Sequence, residues 1–253
     1  MATFETIIYE KKDGVGYITL NRPQVLNAYN IKMRDELYEV LNAIKADAEI
    51  RVGIVKGAGE KAFCAGADLS EFLTAPPPVF ARRARFARDI WGVLVSVPQP
   101  IIAAIHGYVL GSGLEIALFC DIRIASQDVQ FSVPEMGLGI ITAAGASQTL
   151  PRAVNRGPAM EWLLTGRWIK AAEALRFGLV NRLVPRAELL TAAQRLADTI
   201  KALDPGEVRS IKEAVGRGMD MSLEEGLELE TRLATRLLGS NITMAGNSMP
   251  EGR

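Results

Sequence analysis

Two carboxylates stand out because of the company they keep. Glu115 sits in the apolar run LEIALF (114–119), and Glu135 follows Pro134 between Phe131, Val133, Met136 and Leu138. An acid among apolar side chains is costly unless it has a partner or a task, and two such acids suggest general acid/base chemistry. A glycine-broken turn, Gly111-Ser112-Gly113, opens the run that carries Glu115. The amides of such a turn, at the positive end of a helix dipole, suit an oxygen that becomes negative. A second donor is expected from the small-residue loop FCAGAD (63–68), around Ala67, where glycine lets backbone approach a ligand closely. A structural alternative exists: Ser112 to Glu115 fits a capping box, with the glutamate folded back onto the Ser112 amide. The two readings exclude each other, since an amide held by Glu115 is lost to a substrate.

Other reactive residue types carry less. His106 is the only histidine, so a serine or cysteine hydrolase would have to use it; its place at a strand end before Gly107-Tyr108 reads as structural. Cys64 has no base near it in sequence. Asp68 and Asp121 read as helix-start and turn acids. Arg82, Arg83, Arg85 and Arg88 lie on a helix-like segment (79–95), where a solvated face is the plain reading and a local phosphate site the sharper one.

The elements that must position these groups follow from periodicity. Segments 4–10 and 15–20 are β-rich and separated by Lys-Lys-Asp-Gly, a hairpin signal. A helical stripe (Met33, Leu37, Val40, Leu41, Ile44) leads to a buried strand at 52–55, and 101–105 is a second buried strand. Strand-strand-helix units recur loosely through the first two-thirds. After Glu135, 137–145 reads as a flexible turn before helices at 146–153, 158–165 and 170–177 and a strand at 179–184. Segments 187–203, 205–217 and 223–238 are amphipathic helices with no strand between them, which marks a boundary near 185–191.

Composition limits the function classes. The 253 residues, 49% of them hydrophobic, can bury a sizeable core. With 29 basic and 29 acidic residues the net charge is zero, so no electrostatic footprint points to nucleic acid or an anionic membrane. Two cysteines, Cys64 and Cys120, lack the spacing of a zinc site or a disulfide framework, and a reducing cytoplasm is expected. The chain shows neither a secretory leader nor an apolar run near the roughly 18 residues of a membrane span.

Five stretches in order resemble the crotonase (enoyl-CoA hydratase/isomerase) superfamily: LNRPQVLNAYN, KAFCAGADLSEF, IAAIHGYVLGSGLEIALFCDIRIAS, FSVPEMGLGI and LTGRWIKAAEALRFGLVNRLVP. The resemblance implies an α/β spiral of ββα units over 1–190, with a C-terminal helical region (191–253) that assembles subunits into homotrimers or homohexamers. It implies that the amides of Ala67 and Ser112 hold a thioester oxygen. Ala65, Gly66, Asp68, Leu69 and Ser70 then lie along coenzyme A, with Gly111 beside the substrate. Glu115 and Glu135 fall on the two catalytic glutamates of hydratases, which favours addition of water to a 2-enoyl-CoA, with no metal or redox cofactor. An enoyl-CoA isomerase is the competing enzyme, and a CoA- or RNA-binding homologue without turnover the competitor of another class. Two departures bear on the pocket: serine stands at 112 where the family usually has glycine, and ITAAGA (141–146) replaces a proline and a GAGG-like run. The tail also resembles a degenerate family ending without its usual phenylalanine.

Overall fold

The computed structural model describes residues 4–74 and 88–246, with side chains within 4–71 and 88–239. It divides into two compact units, 1–199 and 200–253.

The first unit alternates strands between two sheets. β1 (Ile7–Lys12) and β2 (Val15–Leu20) form an antiparallel hairpin, with Asp13 and Gly14 both at positive φ in its turn. Asp-Gly is suited to that geometry. Helix α1 (Ile31–Ala46) starts at Asn30, whose side chain accepts the Met33 N–H, and buries the predicted stripe. Then come β3 (Val52–Gly57), β4 (Ala62–Cys64), α2 (Ile90–Ser96), β5 (Ile101–Ile105), β6 (Tyr108–Leu110) and α3 (Ser112–Phe119). They are followed by β7 (Ile122–Ser126), β8 (Gln130–Ser132), α4 (Ala146–Val154), α5 (Arg156–Thr165), β9 (Ile169–Lys170), α6 (Ala171–Arg176), β10 (Arg182–Val184) and α7 (Leu189–Lys201).

The larger sheet has the order β1-β2-β3-β5-β7-β10, parallel beyond the first hairpin; the smaller has β4-β6-β8-β9, with β4, β6 and β8 parallel. The pairs β3/β4, β5/β6 and β7/β8 each contribute one strand to each sheet before a helix returns the chain, which is the ββα spiral. All five residues of β5 are buried, as expected of a parallel strand covered on both faces. Trp162, Phe63 and Phe131 are the largest fully buried side chains of the core.

The second unit holds α8 (Pro205–Gly218) and α9 (Leu223–Gly246). Asp204 caps α8 by accepting the Gly206 and Glu207 N–H groups, and Ser222 with Glu225 forms a capping box at the start of α9. No helix among the described residues is long and apolar enough to cross a membrane.

Candidate active site

Three strand ends of the smaller sheet deliver the site. Ala67 lies in the loop after β4, Ser112 begins the helix after β6, and Glu135 lies in the 3-10 turn (Pro134–Leu138) after β8. Because these three strands are adjacent and parallel, their following loops emerge on the same side. Ala67, Ser112, Glu115 and Glu135 all line one cleft of about 380 Å3, together with Tyr29, Trp91, Ile140, Ile141 and Ala144 among others.

Two close approaches make this possible. Gly113 sets the first turn of α3 against the end of β4: a Cβ there would lie 2.2 Å from the Cys64 carbonyl oxygen. Gly111, at φ +43°, lets Glu135 come over the helix start; its missing Cβ would lie 2.6 Å from Glu135 Oε1.

Ala67 is held by a segment upstream of α1. The Tyr29 N–H donates to the Gly66 carbonyl (2.8 Å) and the Asp68 N–H to the Tyr29 carbonyl (2.8 Å). That single parallel bridge uses the amides on either side and leaves the Ala67 N–H without a backbone acceptor among the described residues. Asn27 anchors the same segment: fully buried, it donates to the carbonyls of Ala58 and Ala62 and accepts the Arg22 N–H. Ser112, first residue of α3, has the kind of amide that a helix cannot satisfy internally.

The capping-box alternative for Glu115 does not occur. The N-cap is Gly111, without a side-chain cap, and Glu115 Oε1 accepts the amides of Ala146 (3.0 Å) and Ala144 (3.2 Å) across the cleft. The run that departs from the family pattern thus supplies the donors that orient this acid. Burial pushes the Glu115 carboxyl up, the Ala146 amide opposes the shift, and the charge of Glu135 raises it further. Glu135 is also pushed up by burial, and its Oε2 is buried without a hydrogen-bond partner among the described residues.

Glu36 shows what a structural buried acid looks like in the same unit. Burial would raise its pKa, but the amides of Glu5, Thr6 and Ile7 and the Thr6 hydroxyl all donate to it, and the net shift is downward. Glu115 keeps the amides of Ala144 and Ala146 and a hydrogen bond from the Ser112 side chain, yet burial and the charge of Glu135 still shift it upward, and Glu135 is shifted the same way.

The remaining expected residues are placed as follows. Ala65 donates its N–H to the Leu26 carbonyl, and Gly66 sits at φ +93°. The Asp68 carboxylate accepts from Ser70 and is ion-paired with Arg22 (2.8 Å), both of which hold it below the usual range. Leu69 and Ser70 are exposed. Of these residues and Gly111, none is among those lining the cleft itself. Cys64 is buried and its thiol is pushed up to about 12 by burial, as an inert core cysteine would be. His106 is buried too, held neutral by burial and by the nearby Arg186 charge, with its pKa lowered to about 4. Arg88 pairs with Glu39 (3.2 Å) and lies over the Tyr38 ring; Arg82, Arg83 and Arg85 lie outside the described residues.

Sequence reasoning missed Tyr29, Asn27, Trp91 and the amides of Ala144 and Ala146. Asn27 and Tyr29 lie inside a motif that carried the resemblance, LNRPQVLNAYN, so a signal for them was present; for Trp91 there was none.

Comparison with known proteins identifies the family. The enoyl-CoA hydratase/isomerase family model matches residues 10–249. A probable enoyl-CoA hydratase from Mycobacterium tuberculosis is 44% identical over 234 residues, covering 91% of this chain and 89% of the relative. The (E)-benzylidenesuccinyl-CoA hydratase of Thauera aromatica is 40% identical over 223 residues, with 87% and 86% covered. A crystal structure of an enoyl-CoA hydratase subunit from Geobacillus kaustophilus superposes with a TM-score of 0.89 at 34% identity, over 100% of this chain and 99% of that one. The chain therefore belongs to the enoyl-CoA hydratase/isomerase family of the crotonase superfamily.

Proposed function

We propose that the protein adds water reversibly across the C2=C3 bond of a 2-enoyl-CoA, with Glu115 and Glu135 as the acid/base pair. The observation that carries this reading is the pair of buried, upward-shifted carboxylates lining the same cleft as Ala67 and Ser112.

In this reading the reaction uses both donors and both acids. The two amides hold the thioester oxygen, where charge gathers as an enolate when water attacks C3; each such donor contributes about 3 to 4 kcal/mol of stabilisation at the transition state. One glutamate takes a proton from the water as its oxygen bonds to C3. The other delivers a proton to C2, so one water is consumed and no electrons are gained or lost. Ala144 and Ala146 keep Glu115 aimed into the cleft, while Glu135 Oε2, buried with no protein donor among the described residues, is the oxygen assigned to accept the water's proton. Neither a metal nor a redox cofactor is needed. Ala65, Gly66 and residues 68–70 lie along the pantetheine and adenine in this reading.

Incubation with 2-enoyl-CoA and 3-enoyl-CoA in heavy-oxygen water tests the assignment. Label entering the 3-hydroxyacyl product supports hydration, and double-bond migration without label replaces it with isomerisation. The same reading includes a homotrimer or homohexamer assembled through unit 200–253. There Ile211, Val215, Met219 and Leu223 are each at least 62% exposed, more apolar surface than a lone helix pair ordinarily shows water. Sedimentation of the full chain measures the assembly.

A further inference from the structure

One wall of the cleft takes no part in proton transfer or in holding the thioester. Trp91, half-buried, packs in tilted contact with two other aromatic rings, 6.1 Å from Tyr29 and 5.3 Å from Phe119 between centroids, and still lines the cleft. Phe119 is fixed in turn beneath Gly145, where a Cβ would lie 3.0 Å from the ring edge. The rings of Tyr29 and Trp91 line the cleft with Ile90, Ile140 and Ile141, and with the small side chains of Ala143 and Ala144. Ala144 donates its amide to Glu115, so this apolar region begins one hydrogen bond away from the acid that works at C2 or C3.

The charged lining residues weigh against an acyl chain that ends in a carboxylate. Arg34 spends Nε and Nη2 on Asp35, Arg88 pairs with Glu39, and Asp89 adds a negative charge to the same lining. Among the described residues, what remains for the acyl group is the aromatic surface of Tyr29 and Trp91 with the side chains of Ile90, Ile140, Ile141, Ala143 and Ala144. A long alkyl chain gains little from a ring face and loses torsional freedom on binding, whereas a planar ring stacks on it at no such cost.

We propose that Trp91 is the specificity-determining residue of this cleft and that the preferred substrate is a 2-enoyl-CoA bearing a planar aryl group on C3. The proposal rests on the hydration reading for its chemistry, and on the ring geometry alone for its selectivity. Water adds to C3, which also bears the ring, and a proton goes to C2, so the balance is that of the simpler substrate.

The test compares kcat/KM for 3-phenyl-2-enoyl-CoA and 2-hexenoyl-CoA in the wild-type protein, Trp91→Leu and Trp91→Phe. The aryl substrate is expected to be favoured in the wild type. The aryl-to-alkyl ratio should fall about tenfold in Trp91→Leu, in line with the worth of an aromatic pair, and largely return in Trp91→Phe. A wild-type preference for the alkyl substrate, or a ratio unchanged in Trp91→Leu, overturns the proposal while leaving hydration intact. If neither thioester is hydrated, calorimetric affinities of the full chain for 3-phenylpropanoyl-CoA and hexanoyl-CoA decide the slot separately. A preference for the phenyl ligand that Trp91→Leu abolishes keeps the slot and discards only the reaction; equal affinities discard the slot.

Discussion

Gly113→Ala tests whether the closeness of α3 to β4 is what places the reacting groups. The added methyl would lie 2.2 Å from the Cys64 carbonyl oxygen and 2.8 Å from the Cys64 Cβ, where ordinary contact begins at 3.4 Å. Cys64 is fully buried in β4 and cannot yield, so the first turn of α3 must retreat by about 1 Å. Overpacking of this kind costs about 1 to 3 kcal/mol of stability. The functional cost is larger, because the same turn carries the Ser112 amide and Glu115, and a displacement near 1 Å can cost about 100-fold in rate. Hydration of a 2-enoyl-CoA at saturating substrate, paired with thermal denaturation, measures both effects. Gly216→Ala is the control, since nothing lies within 4 Å of the new methyl and a glycine within α8 replaced by alanine gains about 0.5 to 1 kcal/mol. A folded Gly113→Ala protein with undiminished kcat would refute the claim that this approach sets the geometry.

Three further expectations follow. Glu115→Gln and Glu135→Gln should each lower kcat by about 100-fold or more, as loss of a general acid or base does. Burial raises both pKa values, so the folded wild type favours the protonated forms and loses stability as pH rises through the carboxylate range. The glutamine variants should therefore melt above the wild type at neutral pH and level with it in acid; equal melting curves at both would contradict the burial argument. His106, the single histidine, gives an unambiguous imidazole signal. With its folded pKa lowered to about 4, it should stay neutral by NMR down to about pH 5, and stability should fall as pH drops from about 6.5 toward 4, by at most about 1.4 kcal/mol per unit. A titration midpoint near 6.5 would show that the ring is solvated. Finally, Cys64 and Cys120, both buried, should react with an aromatic disulfide reagent only at the rate of unfolding; fast labelling in native buffer would be the contrary result.

Much of the framework was legible because periodicity and turn chemistry are local. The Asp-Gly hairpin, the α1 stripe, β5 and the helices of unit 200–253 all occur where the pattern put them. Strands β4 and β6 were not legible: at three residues each, in segments rich in glycine and alanine, they have no alternation to display and are defined only by pairing, β4 with β6 and β6 with β8. For the same reason 63–68 read as a loop throughout, although its first residues are sheet. Glu115 and Glu135 could be singled out by apolar context, whereas Glu36, flanked by Arg34, Asp35 and Glu39, gave no such signal although it too is buried. Its donors come from residues 5–7, some thirty positions away, and only the fold brings those to it. The capping-box reading failed for a related reason: helix α3 begins one residue earlier than the motif requires, because Gly111 takes the cap position at positive φ.

The three short parallel strands β4, β6 and β8 have one more consequence. Because each ends in its own loop, the amides of Ala67 and Ser112 and the carboxylate of Glu135 are carried by separate pieces of chain on a shared shelf. Replacing Glu135 alters a turn that no other reacting group depends on for its position, and the electrophile would still be held and polarised as before. A scaffold with its tasks divided in this way can exchange one reaction for another by changing a single side chain, without having to rebuild the shelf.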